Sequence, residues 1–202
     1  MIRMNKLDRQ AYLIIKEYSS RLAKRGYITA HGGNISIRSG NIVWITRHAA
    51  SLENLRPEDI VRIYIDRPTG HDLIASTEAP IHLRIYRETQ NLAVLHAHPP
   101  YSVVLSFFYD EIIPYDSEAY HVLRKVPIVE GSPGSEELAY KVANALKSHH
   151  AVIVRAHGVF TASKFVDIAY QYMCMVEHSA EIIYHVELFK TTHRKFIKPR
   201  IF

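Results

Sequence analysis

His96 and His98 stand two residues apart at the end of an apolar run, Leu92 to His96, that reads as a β-strand. Side chains alternate across a strand, so this spacing turns both imidazoles to one face, where their ring nitrogens can converge on one cation. The pair alone fits two satisfied polar groups at a strand end equally well. His157 adds a third imidazole. It follows another apolar strand, Ala151 to Arg155, and precedes Gly158, which lets the backbone turn sharply beside a ligand. Two neighbouring strands ending in histidines offer three neutral nitrogen donors and leave zinc an open position.

Glu78 supplies a carboxylate at the start of a helix expected over about Thr77 to Glu88, directly after Ser76 and Thr77. Two hydroxyls beside the free N–H groups of a first helical turn make an anion site, and equally an ordinary N-cap with an acidic first turn. Gly32-Gly33-Asn34 is a second candidate anion loop. Both glycines admit positive φ, so successive N–H groups can face one concavity, and the Asn amide adds a donor. A plain turn before a strand has the same sequence. His178, Glu181 and His185 share a helix face and read as surface or intersubunit polar contacts, with Tyr170, Met173, Val176 and Ala180 as a core or interface stripe.

The elements that must position these groups are legible in outline. Leu7 to Lys24 sets Tyr12, Ile15, Tyr18, Ser19 and Leu22 along one helical side, closed by Gly26. Asn34 to Arg38 alternates as a strand, turns at Ser39-Gly40-Asn41 and pairs with Ile42 to Thr46, while Val61 to Ile65 alternates again. Further on come a helix at about Tyr101 to Phe108 after Pro99-Pro100, a strand at Val126 to Val129 and a helix capped by Ser135. The chain closes with a long helix from about Lys164 to Phe189. Hairpins mixed with strand–helix pairs predict a layered α/β fold with a mixed or antiparallel sheet. A doubly wound nucleotide-binding sheet is excluded by the lack of β-α-β alternation near residues 34 to 65 and of G-x-G-x-x-G after the first strand.

Composition sets the outer bounds. The 202 residues are 48% apolar and 22% charged, which fits one domain over 1–202 with a real core. The single cysteine, Cys174, permits no internal disulfide, and no apolar run approaches the roughly 20 residues of a membrane span. Met1 to Lys6 lacks the pattern of a signal peptide, so a cytoplasmic location without a membrane partner is expected. The net charge of +5 is not gathered into a stripe; its densest stretch is the tail from Lys190 to Arg200. That distribution suits a small anionic substrate through electrostatic steering rather than a nucleic acid.

Taken in order along the chain, Thr29-Ala-His-Gly-Gly-Asn-Ile-Ser-Ile37, Trp44-Ile-Thr46, Ala75-Ser-Thr-Glu78, His96-Ala-His98 and His157-Gly158 resemble the class II aldolase/adducin family, in its fuculose-phosphate aldolase type. The resemblance implies a single-domain α/β/α sandwich around a mostly antiparallel central sheet. It further implies a four-fold homotetramer with active sites between subunits. It assigns His96, His98 and His157 to one Zn2+ per subunit, joined in the resting site by Glu78, which also shuttles the proton. It places a sugar phosphate against Gly33, Asn34, Ser76 and Thr77. The implied reaction is reversible cleavage of a ketose 1-phosphate into dihydroxyacetone phosphate and an aldehyde. Epimerase, methylthioribulose-1-phosphate dehydratase and non-catalytic adducin-like branches stand as alternatives; the epimerases usually carry aspartate where this chain has Glu78.

One motif departs from the family pattern. The usual Ile-Thr-Pro-Thr/Ser-Gly reads Ile45-Thr46-Arg47-His48-Ala49 here, so His48 and Ala49 occupy phosphate-contacting places, and Arg47 and His48 can themselves meet an anion. A family tyrosine expected near Pro114, contributed from a neighbouring subunit, has Tyr115 and Tyr120 on either side of its place, which aligns closer to Glu118.

Overall fold

Alternating burial along residues 34 to 64 builds the first half of a sheet. β1 (Asn34–Ser39) pairs antiparallel with β2 (Ile42–Thr46), and β2 with β3 (Ile60–Tyr64). The computed structural model describes residues 5–192, and most of the basic tail lies outside them. β4 (Ala93–Ala97) joins the other side of β1, in a register that sets Asn34 opposite His96. β8 (Gly158–Ser163) follows, then β7 (Ala151–Val154), β6 (Val126–Val129) and the short β5 (Glu111–Ile112). The eight strands run in the order β3-β2-β1-β4-β8-β7-β6-β5, and among the described strands only β6 and β7 pair in parallel.

Six α-helices among the described residues cover the two faces, as expected of an α/β/α sandwich. α1 (Lys6–Lys24) and α6 (Val166–Lys190) bury Ile15, Leu22, Met173 and Val176 against Ile35, Leu95 and Val159 of the sheet. α3 (Pro100–Leu105) and α4 (Ser117–Leu123) add Leu105 and Leu123 to that core. On the opposite face α2 (Ala79–Glu88) and α5 (Glu136–Ala145) bury Ile81, Ile85, Leu138 and Val142 against Val43, Val94 and Phe160. Strand alternation sends Leu95 to one core and Val94 to the other, so His96 points toward the α2 and α5 side. Capping follows the sequence: Asn5 accepts from the Asp8 N–H at 2.9 Å, Ser135 from the Leu138 N–H at 3.1 Å, and Gly26 leaves α1 at φ +71°.

Three elements are not visible in the sequence. β8 begins at a glycine that reads as a turn, β5 is two residues long, and α4 is too short to show a helical period. The helix expected from Thr77 begins at Ala79, because Ser76 to Glu78 form a turn in which the Ala79 N–H donates to the Ser76 carbonyl at 2.9 Å. Pro80 sits in the first turn, where its missing N–H breaks no helical bond. Among the described residues no helix is long and apolar enough to cross a membrane.

Candidate metal centre

Two antiparallel pairings bring the three histidines together. β4 delivers His96 from the middle of the sheet and His98 one step past the strand end, where its N–H donates to the Tyr27 carbonyl at 2.7 Å. His157 lies in the three-residue turn between β7 and β8, and β8 runs beside β4 with Phe160 opposite His96. That turn is held from outside. The Ala156 N–H donates to the Ser106 hydroxyl at 2.9 Å, and the Arg155 guanidinium donates to the carbonyls of Ser106 and Tyr109 and to Asp110 and Glu130. The expected sharp turn at Gly158 falls instead on Ala156, at φ +58°.

The ring centroids form a nearly equilateral triangle, with sides of 4.8, 4.9 and 5.0 Å. His96 Nε2 lies 3.0 Å from His98 Nε2 and 3.4 Å from His157 Nε2. His96 Nδ1 faces the Val159 carbonyl at 3.0 Å; since a carbonyl can only accept, the proton sits on Nδ1 and the Nε2 lone pair turns inward. Burial drives His96 well below the ordinary imidazole range, with the neighbouring rings of His98 and His157 adding to the effect. His98 is lowered by burial first and then by the neighbouring His157. Neutral imidazoles are the form that binds a metal.

Glu78 closes the fourth side. It is buried, with Oε2 3.2 Å from His96 Nε2 and Oε1 3.8 Å from His157 Nε2. Oε2 accepts from Asn34 Nδ2 at 2.7 Å, whereas Oε1 has no hydrogen-bond partner. A buried carboxylate oxygen without a donor is costly, and here it lies 3.8 Å from His157 Nε2, beside the converging ring nitrogens. A divalent cation fits this donor set. Among the described residues, the three histidines are the group whose ligand atoms converge, all within 4.8 Å of one another.

Glycines clear the space. A Cβ on Gly158 would meet the Ala97 carbonyl at 2.4 Å and carbons of the His98 and His96 rings at 2.7 and 2.9 Å. One on Gly32 would meet His98 at 2.7 Å. Of the two glycines expected to permit positive φ, Gly33 takes it, at φ +83°, while Gly32 serves by its size.

The residues predicted to hold a phosphate come together from three segments. Thr46 to Ala49 lies beside Ile74 to Thr77, joined by Ser76 N–H to the Thr46 carbonyl at 3.1 Å and His48 N–H to the Ile74 carbonyl at 3.0 Å. The Ile35 N–H donates to the Thr46 hydroxyl at 3.3 Å, which ties in the Gly33-Asn34 segment. His48 and Thr77 are exposed, and Ser76 is nearly buried. Ala49 adopts φ +55°, a left-handed backbone at the place where the family pattern has glycine. Arg47 does not face an open anion site: its guanidinium donates to Asp59 at 2.9 Å. Tyr115 donates to Glu187 of α6, while Tyr120 lies in α4 with its ring near His121. His178 and His185 stand exposed on α6.

Sequence reasoning missed His82. It is fully buried, with Nε2 2.6 Å from Asn34 Oδ1 and Nδ1 2.7 Å from Ser36 Oγ. Burial pushes it down to about 3. The available signal was its place one helical turn after Glu78, among the buried apolar residues of α2.

The layered fold and the three-histidine site define one class of protein. A model of the class II aldolase and adducin N-terminal domain matches residues 15–184, and the chain belongs to that family. It is 32% identical over 171 residues to an L-fuculose phosphate aldolase of Methanococcus maripaludis strain S2, covering 81% of this chain and 90% of the relative. The crystal structure of L-fuculose-1-phosphate aldolase from Thermus thermophilus superimposes with a TM-score of 0.87 at 31% identity, covering 93% of this chain and all of that one. A methylthioribulose-1-phosphate dehydratase of Esox lucius is 27% identical over 173 residues, covering 73% of this chain and 67% of the relative.

Proposed function

We propose that the protein reversibly cleaves a ketose 1-phosphate into dihydroxyacetone phosphate and an aldehyde, using zinc held by His96, His98 and His157, with Glu78 joining them in the resting site. The observation that carries this reading is the buried Glu78 carboxylate beside the converging imidazoles, with Oε2 3.2 Å from His96 Nε2 and the unpartnered Oε1 3.8 Å from His157 Nε2. When bound, the ion supplies positive charge beside the oxygens on which negative charge develops as the carbon–carbon bond breaks. The protein's own residues do the rest. Gly33, His48, Ser76 and Thr77 anchor the phosphate, so that the reacting carbons fall next to Glu78, and Asn34 donates to the Glu78 carboxylate. As the bond breaks, the hydroxyl that becomes the aldehyde gives up its proton to water, and a second proton is added at the carbon that kept the electron pair. Glu78 delivers that second proton in cleavage and removes it in condensation.

A four-fold homotetramer with intersubunit sites and a cytoplasmic location complete the reading. Val104, Phe107 and Phe108, exposed at the end of α3, are apolar side chains that a second copy would cover. The dehydratase relatives support a second reading, in which the same acid moves a proton next to a ketone but water is lost rather than a carbon–carbon bond broken. An adducin-like module without chemistry fits less well with a complete set of metal ligands.

The test is release of dihydroxyacetone phosphate across a panel of ketose 1-phosphates, with methylthioribulose 1-phosphate included and chelator as control. Glu78→Gln is expected to keep roughly one metal per chain and to lose about 10²–10⁴-fold in turnover. A fully active variant overturns the assignment.

A further inference from the structure

Running from Glu78 along α2 and β1, polar side chains alternate in one ladder. Glu78, His82 and Tyr86 follow one another at one-turn intervals on the helix, and Asn34 and Ser36 lie two apart on the strand. Four helical residues rise about 6 Å and two strand residues about 6.6 Å, so the two rows stay in step. The links are Glu78 Oε2 to Asn34 Nδ2 at 2.7 Å, Asn34 Oδ1 to His82 Nε2 at 2.6 Å, His82 Nδ1 to Ser36 Oγ at 2.7 Å and Ser36 Oγ to Tyr86 Oη at 2.7 Å. Every member is buried, and His82, Ser36 and Tyr86 are at most 1% exposed.

The direction of each bond follows from the first. An ionised carboxylate only accepts, so Asn34 turns its Nδ2 to Glu78 and its Oδ1 to His82. Oδ1 only accepts, so His82 carries its proton on Nε2. Burial keeps the ring neutral, which leaves Nδ1 to accept from the Ser36 hydroxyl; Ser36 then accepts from Tyr86. An Asn amide can be turned end for end, and what holds it here with the donor toward the carboxylate is the N–H of His82.

We propose that His82 is a positioning residue for the chemistry at Glu78: by donating to Asn34 Oδ1 it fixes Asn34 as a hydrogen-bond donor to the carboxylate and so holds Glu78 in its working orientation. The effect on turnover rests on the role proposed for Glu78; the tautomer of His82 does not.

The first arm is ¹⁵N NMR of the histidine-labelled holoenzyme, with His82 assigned from the signal lost in His82→Gln. A neutral ring protonated on Nε2 is expected. A ring protonated on Nδ1 would require Asn34 to face Glu78 with its oxygen, and overturns the proposal. The second arm is kinetic. His82→Phe removes both hydrogen bonds while keeping a ring, and is expected to lower kcat about 10- to 100-fold with KM within twofold and metal content unchanged. Gln carries a donor and an acceptor at one end, so His82→Gln is expected to recover kcat to within about fivefold of the parent. Adding His82→Phe to Asn34→Ala should cost nothing further, since the one acts through the other. Equal damage from the Phe and Gln variants, or a loss confined to KM, assigns His82 to packing alone and overturns the proposal. The NMR arm needs only the parent and His82→Gln, so it decides the matter even where His82→Phe does not fold. Should the parent cleave no ketose 1-phosphate, the aldolase reading falls and the tautomer still stands or fails by itself.

Discussion

Glu78 divides two polar clusters of opposite character. Toward the histidines, three ring nitrogens converge and Glu78 Oε1 is unpartnered. Toward β1, donors and acceptors are matched in one direction from Tyr86 to Asn34. The ladder is buried throughout, whereas in the other cluster His96 and Glu78 are buried and His98 and His157 half-buried. Where water is scarce an unmatched group is costly and a matched one rigid. The unmatched cluster is therefore a place for a cation, and the matched one is a frame. One carboxylate belongs to both: Oε2 accepts from Asn34 and lies 3.2 Å from His96 Nε2, and Oε1 lies 3.8 Å from His157 Nε2.

The cation side is the more easily damaged, and Gly158 is where to damage it. Gly158→Ala would drive a methyl into the Ala97 carbonyl and two ligand rings. It is expected to weaken metal binding by about tenfold or more, and to cost about 1–3 kcal/mol of stability through overpacking. Titration of metal into stripped protein and urea unfolding read the two effects, while the hydrogen bonds of the ladder should survive. Parent-like metal affinity would show that the rings have more room than their packing indicates.

A smaller effect separates the frame by its dryness. The folded chain holds His82 at about 3, against an ordinary 6.5. Below pH 6.5 the unfolded chain takes up a proton that the folded chain refuses, so the stability present above pH 6.5 is lost as pH falls toward 3. The slope is about 1.4 kcal/mol per pH unit. His82→Gln lacks this dependence, so acidification should favour the variant relative to the parent by about that amount per unit. A difference that stays constant from about pH 7 to about pH 5 would show that the ring protonates in place. Smallest is Tyr86→Phe, which removes only the last donor of the ladder. We expect about 1 kcal/mol in urea unfolding and less than about a threefold change in kcat; a larger kinetic loss would place Tyr86 closer to the chemistry than the end of a frame.

Much of this is readable locally. The His-x-His spacing puts two imidazoles on one face, and the third histidine at a strand end comes beside them, as expected from two adjacent strands. Glycines at 33 and 158 mark the close approaches, although the sharp turn near His157 is taken by Ala156 and the room at Gly158 serves the rings. Asn34 reads as an anion donor from its loop, yet its side chain is engaged by Glu78 and His82. Arg47 reads as meeting an anion and is held by Asp59. In both cases the competing partner lies on another element.

Local periodicity determined which side chains share a face, because a strand repeats every two residues and a helix about every 3.6. From it came two imidazoles on one face, a third at a strand end, a carboxylate at a helix start and the layered α/β class. Only the tertiary structure decided how those faces meet: that β8 inserts between β4 and β7, and that α2 lies over β1 with its polar residues in step. Hydrogen bonds between residues 44 to 50 positions apart depend on that docking, and a histidine among apolar neighbours gives no sign of its partner until the partner's strand is in place.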